Sequence, residues 1–214
     1  PFIVCADADI PRAVDGLMFA KMHNIGQACT AANRVFVHRS VIDEFTDAFA
    51  AKMAALQVGD GAADGVQVGP LVESKAVEKV SALVSDAVAK GATVICGGVK
   101  TSGPGFFYPP TVLSGVGLDA DLMRTEIFGP VAAIIPFGNA DRPDDPAADD
   151  EVLALANDTP WGLVGYLFSQ DVDRCARLSA ALETGMVGVN TGAVSNPAAP
   201  FGGVKESGLG REGG

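Results

Sequence analysis

Gly26-Gln27-Ala28-Cys29-Thr30-Ala31-Ala32-Asn33-Arg34-Val35-Phe36-Val37-His38 is the stretch whose reading decides the fold. Its last five residues carry β-branched Val35 and Val37 around Phe36, which predicts a strand over residues 34–38. Upstream, Val14, Leu17, Met18 and Met22 recur at helical spacing behind Pro11, a residue suited to a first helical turn. A helix over residues 11–24 follows, and Gly26 ends it. Cys29 therefore falls in the turn between a helix and a strand, among small residues and backbone N–H groups that neither element uses.

The same alternation continues outward. Ser40 is expected to cap a helix with Phe45, Phe49, Met53 and Leu56 on its apolar face. Gly59, Asp60, Gly61 and Gly65 make a loop. A helix over residues 73–90 ends at Gly91, and a strand over 93–96 is closed by Gly97 and Gly98. Residues 101–110, rich in Gly, Pro and aromatics, form an ordered loop, and 111–113 can form a short strand. Then come a buried strand (131–137), a helix (150–157), a strand (165–169), a helix (171–182) and a strand (186–190). The acidic insert at residues 141–151 is read as a solvated loop with Asp149 or Asp150 capping the next helix. From Thr191 onward glycine and proline disfavour regular structure. Strands alternating with helices imply an α/β fold, a mostly parallel sheet with helices on both faces.

With 214 residues, 48% of them hydrophobic, the chain can bury one sizeable core. Fifteen basic against 26 acidic residues leave a net charge of −11, which excludes nucleic-acid backbones and anionic membranes as partners. The long uncharged stretch, residues 184–204, is broken by Asn190, Asn196, Pro197 and Pro200, so it does not span a membrane. The chain opens on Pro1 with no leader, and is read as a piece of a longer protein. Its four cysteines lie far apart, and His23 and His38 do not complete a zinc site, so no metal is expected. This cysteine usage fits a reducing cytoplasm.

An isolated cysteine is usually inert core, which is the reading given to Cys5, Cys96 and Cys175. Cys29 differs in its turn, where free N–H groups favour a thiolate and can hold an adjacent oxyanion. Thr30 and Ala31 offer no second thiol to oxidise it. Taken alone, Thr125-Glu126-Ile127-Phe128-Gly129-Pro130 is a loop with an exposed acid and a buried aromatic, and residues 195–207 are a structural loop. Two glycine patterns, Gly208-Leu209-Gly210-Arg211-Glu212-Gly213 and the run from Gly115 to Ala120, mimic a dinucleotide fingerprint. Neither has the strand, helix and acid that the fingerprint needs, so both are read as turns.

The Cys29 turn, the Glu126–Pro130 segment and Pro200-Phe201-Gly202-Gly203-Val204-Lys205-Glu206-Ser207-Gly208-Leu209-Gly210-Arg211, in this order, resemble the catalytic half of the aldehyde dehydrogenase superfamily. Val68-Gly69-Pro70-Leu71 and Asn190-Thr191-Gly192 strengthen the likeness to succinate-semialdehyde dehydrogenases. The resemblance runs almost end to end. It implies one Rossmann-like catalytic domain over residues 1–214 that oxidises a small aldehyde, one bearing a carboxylate, with NAD or NADP. Cys29 would be the nucleophile. Glu126 would hydrogen-bond the ribose beside nicotinamide, with Phe128 packed near that ring, so only this end of the cofactor touches the domain. Ser195 lies where these enzymes hold the substrate carboxylate, and Phe201 near the active-site funnel. His23 stands where they can carry an arginine, though a helix histidine is also a packing residue.

The family's glutamate base, oxyanion asparagine and dinucleotide domain would lie before Pro1, and the strand joining subunits of a homodimer or homotetramer beyond Gly214. Two other readings stay open. One is transfer of the acyl group to coenzyme A. The other is a non-catalytic homologue, which would not need both Cys29 and Glu126.

Overall fold

The computed structural model describes all 214 residues. Its centre is a seven-stranded sheet in the order β3-β4-β5-β2-β1-β7-β8. The strands are β1 (Phe2–Val4), β2 (Arg34–His38), β3 (Thr93–Cys96), β4 (Thr111–Ser114), β5 (Val131–Phe137), β7 (Val164–Phe168) and β8 (Met186–Val189). All neighbours run parallel except the edge strand β3, which is antiparallel to β4. The family's α/β expectation is met, with β3 as the one antiparallel member.

Alternation along the strands divides the core in two. Phe2, Val4, Val35, Val37, Ala132 and Ile134 face α1 (Ile10–Met22) and α2 (Ile42–Ala55). Ile3, Phe36, Val131, Ala133, Ile135 and Leu167 face α3 (Ser74–Ala89), α4 (Ala147–Asn157) and α5 (Val172–Ala181). The central strands β1, β2, β5 and β7 are thus buried on both sides except at Pro136, which explains why β2 and β5 read as apolar blocks rather than alternating ones. Phe45 and Phe49 of α2 are fully buried and stack on each other with centroids 6.1 Å apart. Truncating either to alanine is expected to cost about 3–5 kcal/mol.

The structure adds one strand and corrects three expectations. The first strand, Phe2-Ile3-Val4, was not read from the sequence, yet it lies between β2 and β7. Ser40 does not cap α2: its hydroxyl and N–H both engage His38 Nδ1, at 2.8 and 3.2 Å, and Val41 takes the cap position without a side-chain bond. Asp149 and Asp150 do not cap α4, which begins at Ala147; Asp149 is buried and paired with Arg174 and Arg177 of α5. The tail is not wholly irregular either. Its Val204–Lys205 (β9) pairs antiparallel with β6 (Trp161–Gly162), and Ser207 Oγ accepts the Gly162 N–H at 2.9 Å. Elsewhere side-chain caps form that the sequence reading did not name: Asp9 accepts from Arg12 N at 3.0 Å, and Asp171 from Asp173 and Arg174 N. No helix is long and apolar enough to cross a membrane.

Candidate active site

The chain leaves α1 through three consecutive left-handed residues, Asn24, Ile25 and Gly26, with φ of 48°, 59° and 74°. For β-branched Ile25 this conformation is strained by roughly 1–2 kcal/mol. Local bonds hold it: Asn24 Nδ2 donates to Gln27 O at 2.9 Å, and Gln27 Oε1 accepts the Val72 N–H at 3.0 Å. The turn then exposes Cys29, whereas Cys5 and Cys175 are buried and Cys96 is half-buried, less enclosed than the sequence suggested. The N–H groups of Ala28, Cys29 and Thr30 donate to no protein acceptor.

Beyond the cysteine the loop is clamped. Ala32 N donates to Ala20 O at 3.1 Å, and Lys21 Nζ donates to Ala32 O at 3.0 Å. Lys21 is buried, and that burial drives its ammonium down to about 7 against the opposing pull of Glu126. Asn33 then reaches the segment that carries Glu126: its Nδ2 donates to Leu122 O at 2.9 Å and Thr125 O at 3.3 Å, and its Oδ1 accepts the Ile127 N–H at 2.8 Å. Sequence reasoning missed both residues. The available signals were a lysine four places after Leu17 on an apolar helix face and a lone amide directly before a buried strand, each of which needs a partner.

Cys29 and Glu126 share one cavity of about 540 Å³, whose wall also includes Pro1, Asn33, Trp161 and Tyr166. Phe128 does not line it. Phe128 is half-buried with φ 51°, its ring 5.9 Å from Lys79 Nζ, and that amine also donates to Glu126 O at 3.2 Å. His23 and Ser195 come together in a second cavity of about 110 Å³ with Phe19, Thr30 and Tyr166. The His23 ring stacks on Phe19 at 5.8 Å. Tyr166 borders both cavities and donates its hydroxyl to Thr30 O at 2.8 Å, with burial pushing the phenol up to about 12. Phe201 lines neither; its backbone pairs with Glu212 at 2.7 and 2.9 Å. The segments carrying Pro1, Cys29, Glu126 and Trp161 all enter strands, so the site lies at the amino ends of the parallel strands, opposite the usual location in open α/β sheets.

The sequence matches the Aldehyde dehydrogenase family over residues 1–214. The chain belongs to that family. It is 50% identical over 214 residues to the succinate-semialdehyde dehydrogenase of Paenarthrobacter nicotinovorans, covering all of this chain and 46% of that protein. Against the NADP(+) succinate-semialdehyde dehydrogenase of Escherichia coli (strain K12) the identity is 44%, over 100% of this chain and 42% of that one. The crystal structure of succinate-semialdehyde dehydrogenase from Burkholderia pseudomallei superimposes with a TM-score of 0.93 at 47% identity, over 100% of this chain and 42% of that one. The chain thus spans less than half the length of these aldehyde dehydrogenases.

Proposed function

We propose that this chain is the nucleophile-bearing domain of an NAD(P)-dependent aldehyde dehydrogenase that oxidises succinate semialdehyde to succinate. The observation that carries the reading is the exposed Cys29 thiol, on a turn with three unused N–H groups, in the same cavity as Glu126. The Cys29 thiolate attacks the aldehyde carbon, forming a C–S bond while the carbonyl electrons move to oxygen, where the turn's N–H groups can hold the charge. NAD(P)+, held at its nicotinamide end by Glu126, would supply the hydride acceptor, and loss of hydride would leave a thioester on Cys29. Water cleaves the thioester, releases the acid and returns the thiol.

The cavity suits the nicotinamide end of the cofactor. Glu126 presents carboxylate acceptors suited to ribose hydroxyls. Arg34 is committed to the Leu155 and Ala156 carbonyls at 2.8 Å, and Arg124 pairs with Asp158 at 2.6 Å. Phe128 would act from behind the loop, by supporting Glu126 near the ring. His23 and Ser195, which share the smaller cavity, are the proposed holders of the substrate carboxylate, with Phe201 in the loop beyond.

In the full-length protein, limited iodoacetamide should label Cys29 first, and Cys29→Ala should abolish NAD(P)H formation from succinate semialdehyde. The isolated 214-residue domain should show no turnover above that blank. Preferential labelling of Cys96, or turnover by Cys29→Ala, refutes the reading.

A further inference from the structure

Asn33 sits four residues after Cys29 and bonds the segment carrying Glu126, 89 to 94 residues further along the chain. A neutral amide has two donor hydrogens and an acceptor oxygen. Here both kinds are used on one target: Nδ2 donates to Leu122 O and Thr125 O, and Oδ1 accepts from Ile127 N. These three bonds bracket Glu126, with Thr125 immediately before it and Ile127 immediately after. Asn33 also lines the cavity that Cys29 and Glu126 share.

The other side of Asn33 is equally fixed. Ala32, its neighbour, is held through its N–H by Ala20 O and through its carbonyl by Lys21 Nζ. One rigid point therefore joins the end of α1, the turn that presents Cys29 and the loop that presents Glu126.

We propose that Asn33 is a positioning residue: it sets the distance between the nucleophile and the cofactor-facing carboxylate, and so governs hydride transfer without taking part in thiol addition. This rests on the proposed roles of Cys29 and Glu126. Neither alanine nor aspartate reproduces the pattern. Alanine removes all three bonds. Aspartate keeps the acceptor for Ile127 N but turns a carboxylate toward two carbonyl oxygens, an arrangement relieved only when that carboxyl is protonated and can donate.

The test uses the full-length protein and two reactions. Cofactor-free acylation by p-nitrophenyl acetate, read as nitrophenolate release, reports the thiol alone; single-turnover NAD(P)H formation reports the thiol and cofactor together. Asn33→Ala should lower acylation by less than about threefold while hydride transfer falls on the order of 100-fold, the cost of displacing a reacting group by about 1 Å. Asn33→Asp keeps the side-chain volume and carries the test where truncation costs the fold. Its hydride-transfer rate relative to wild type should recover as pH falls from about 7 toward about 5, as the carbonyls facing its carboxyl raise it above the ordinary aspartate range and it gains the missing proton. Equal losses in both reactions, or an Asn33→Asp deficit that ignores pH, overturn the positioning role while leaving Cys29 as nucleophile. Acylation that survives in Cys29→Ala overturns both.

Discussion

Substituting Gly26 by alanine tests whether the Cys29 turn and the Glu126 loop are held in contact. Gly26 is buried with φ 74°, and a Cβ built there would collide with Gly129 O and lie 2.7 Å from the Gly129 carbonyl carbon. A relaxed carbon–carbon contact needs about 3.5 Å, so the two backbones must separate by close to 1 Å. The left-handed conformation adds roughly 1–2 kcal/mol for any residue with a Cβ, and the overpacking about 1–3 kcal/mol more. Gly26→Ala should therefore destabilise by about 2–5 kcal/mol. Because the displaced segments are those bearing Cys29 and Glu126, kcat/KM should fall on the order of 100-fold in the molecules that remain folded. Gly65 provides the control: its φ is 80°, but nothing lies within 4 Å of its added Cβ, so Gly65→Ala carries the conformational cost without the clash. Steady-state kinetics and thermal melting of the two full-length variants, side by side, make the measurement. Equal effects at Gly26 and Gly65, or unchanged kcat/KM in Gly26→Ala, would refute the reasoning.

Glu126→Gln should reduce single-turnover NAD(P)H formation on the order of 100-fold with no change in melting, since the side chain is exposed; an unaltered rate would reduce Glu126 to a loop acid. The Asp7 network should govern acid stability. Burial works to raise the Asp7 carboxyl, but the Ser169 hydroxyl, the Asp171 and Gln170 N–H groups and Arg174 outweigh it and hold it below the ordinary aspartate range. A depressed folded value means the stabilisation is complete above the unfolded value, near pH 4, and is lost as pH falls through the folded one. Asp7→Asn should thus cost about 1.5 kcal/mol at neutral pH, the low end for a charged hydrogen bond because the side chain keeps 29% exposure. The gap from wild type should close below about pH 4 in denaturant titrations, and a gap independent of pH would assign the cost to packing.

The parts of the fold legible in sequence are those whose cause is local. The β2 and β5 blocks, the helix that follows Asp171 and the helix behind Pro11 each follow from a few adjacent residues. Phe2-Ile3-Val4 escaped because three apolar residues show no period; only the flanking β2 and β7 make them a strand. Asp149 looked like one more acid in a solvated insert because the arginines that bury it, Arg174 and Arg177, come 25 and 28 residues later. At the candidate site the same division holds. Cys29 stands out through its immediate neighbours and Glu126 only through the family resemblance, whereas Lys21 and Asn33 acquire meaning only from partners across the fold.

That division has a structural cause. Strands β2 and β5 are adjacent and parallel, with Arg34 paired to Ala133 at the start of the ladder. Whatever precedes them must emerge side by side at the same edge of the sheet, so the Cys29 turn and the Glu126 loop become neighbours through strand order alone. A ladder fixes register to within a residue and leaves irregular loops free by more than the roughly 1 Å that chemistry tolerates. The remaining precision has to come from contacts made just before the ladder begins. Asn33, one residue ahead of Arg34, and Gly26, packed on Gly129, stand at those places. Coarse placement by the sheet and fine placement by two residues predicts that core substitutions within β2 act mainly on stability. Changes at Asn33 and Gly26 should instead act on rate out of proportion to stability, and a mutant series plotting one against the other would separate the two groups.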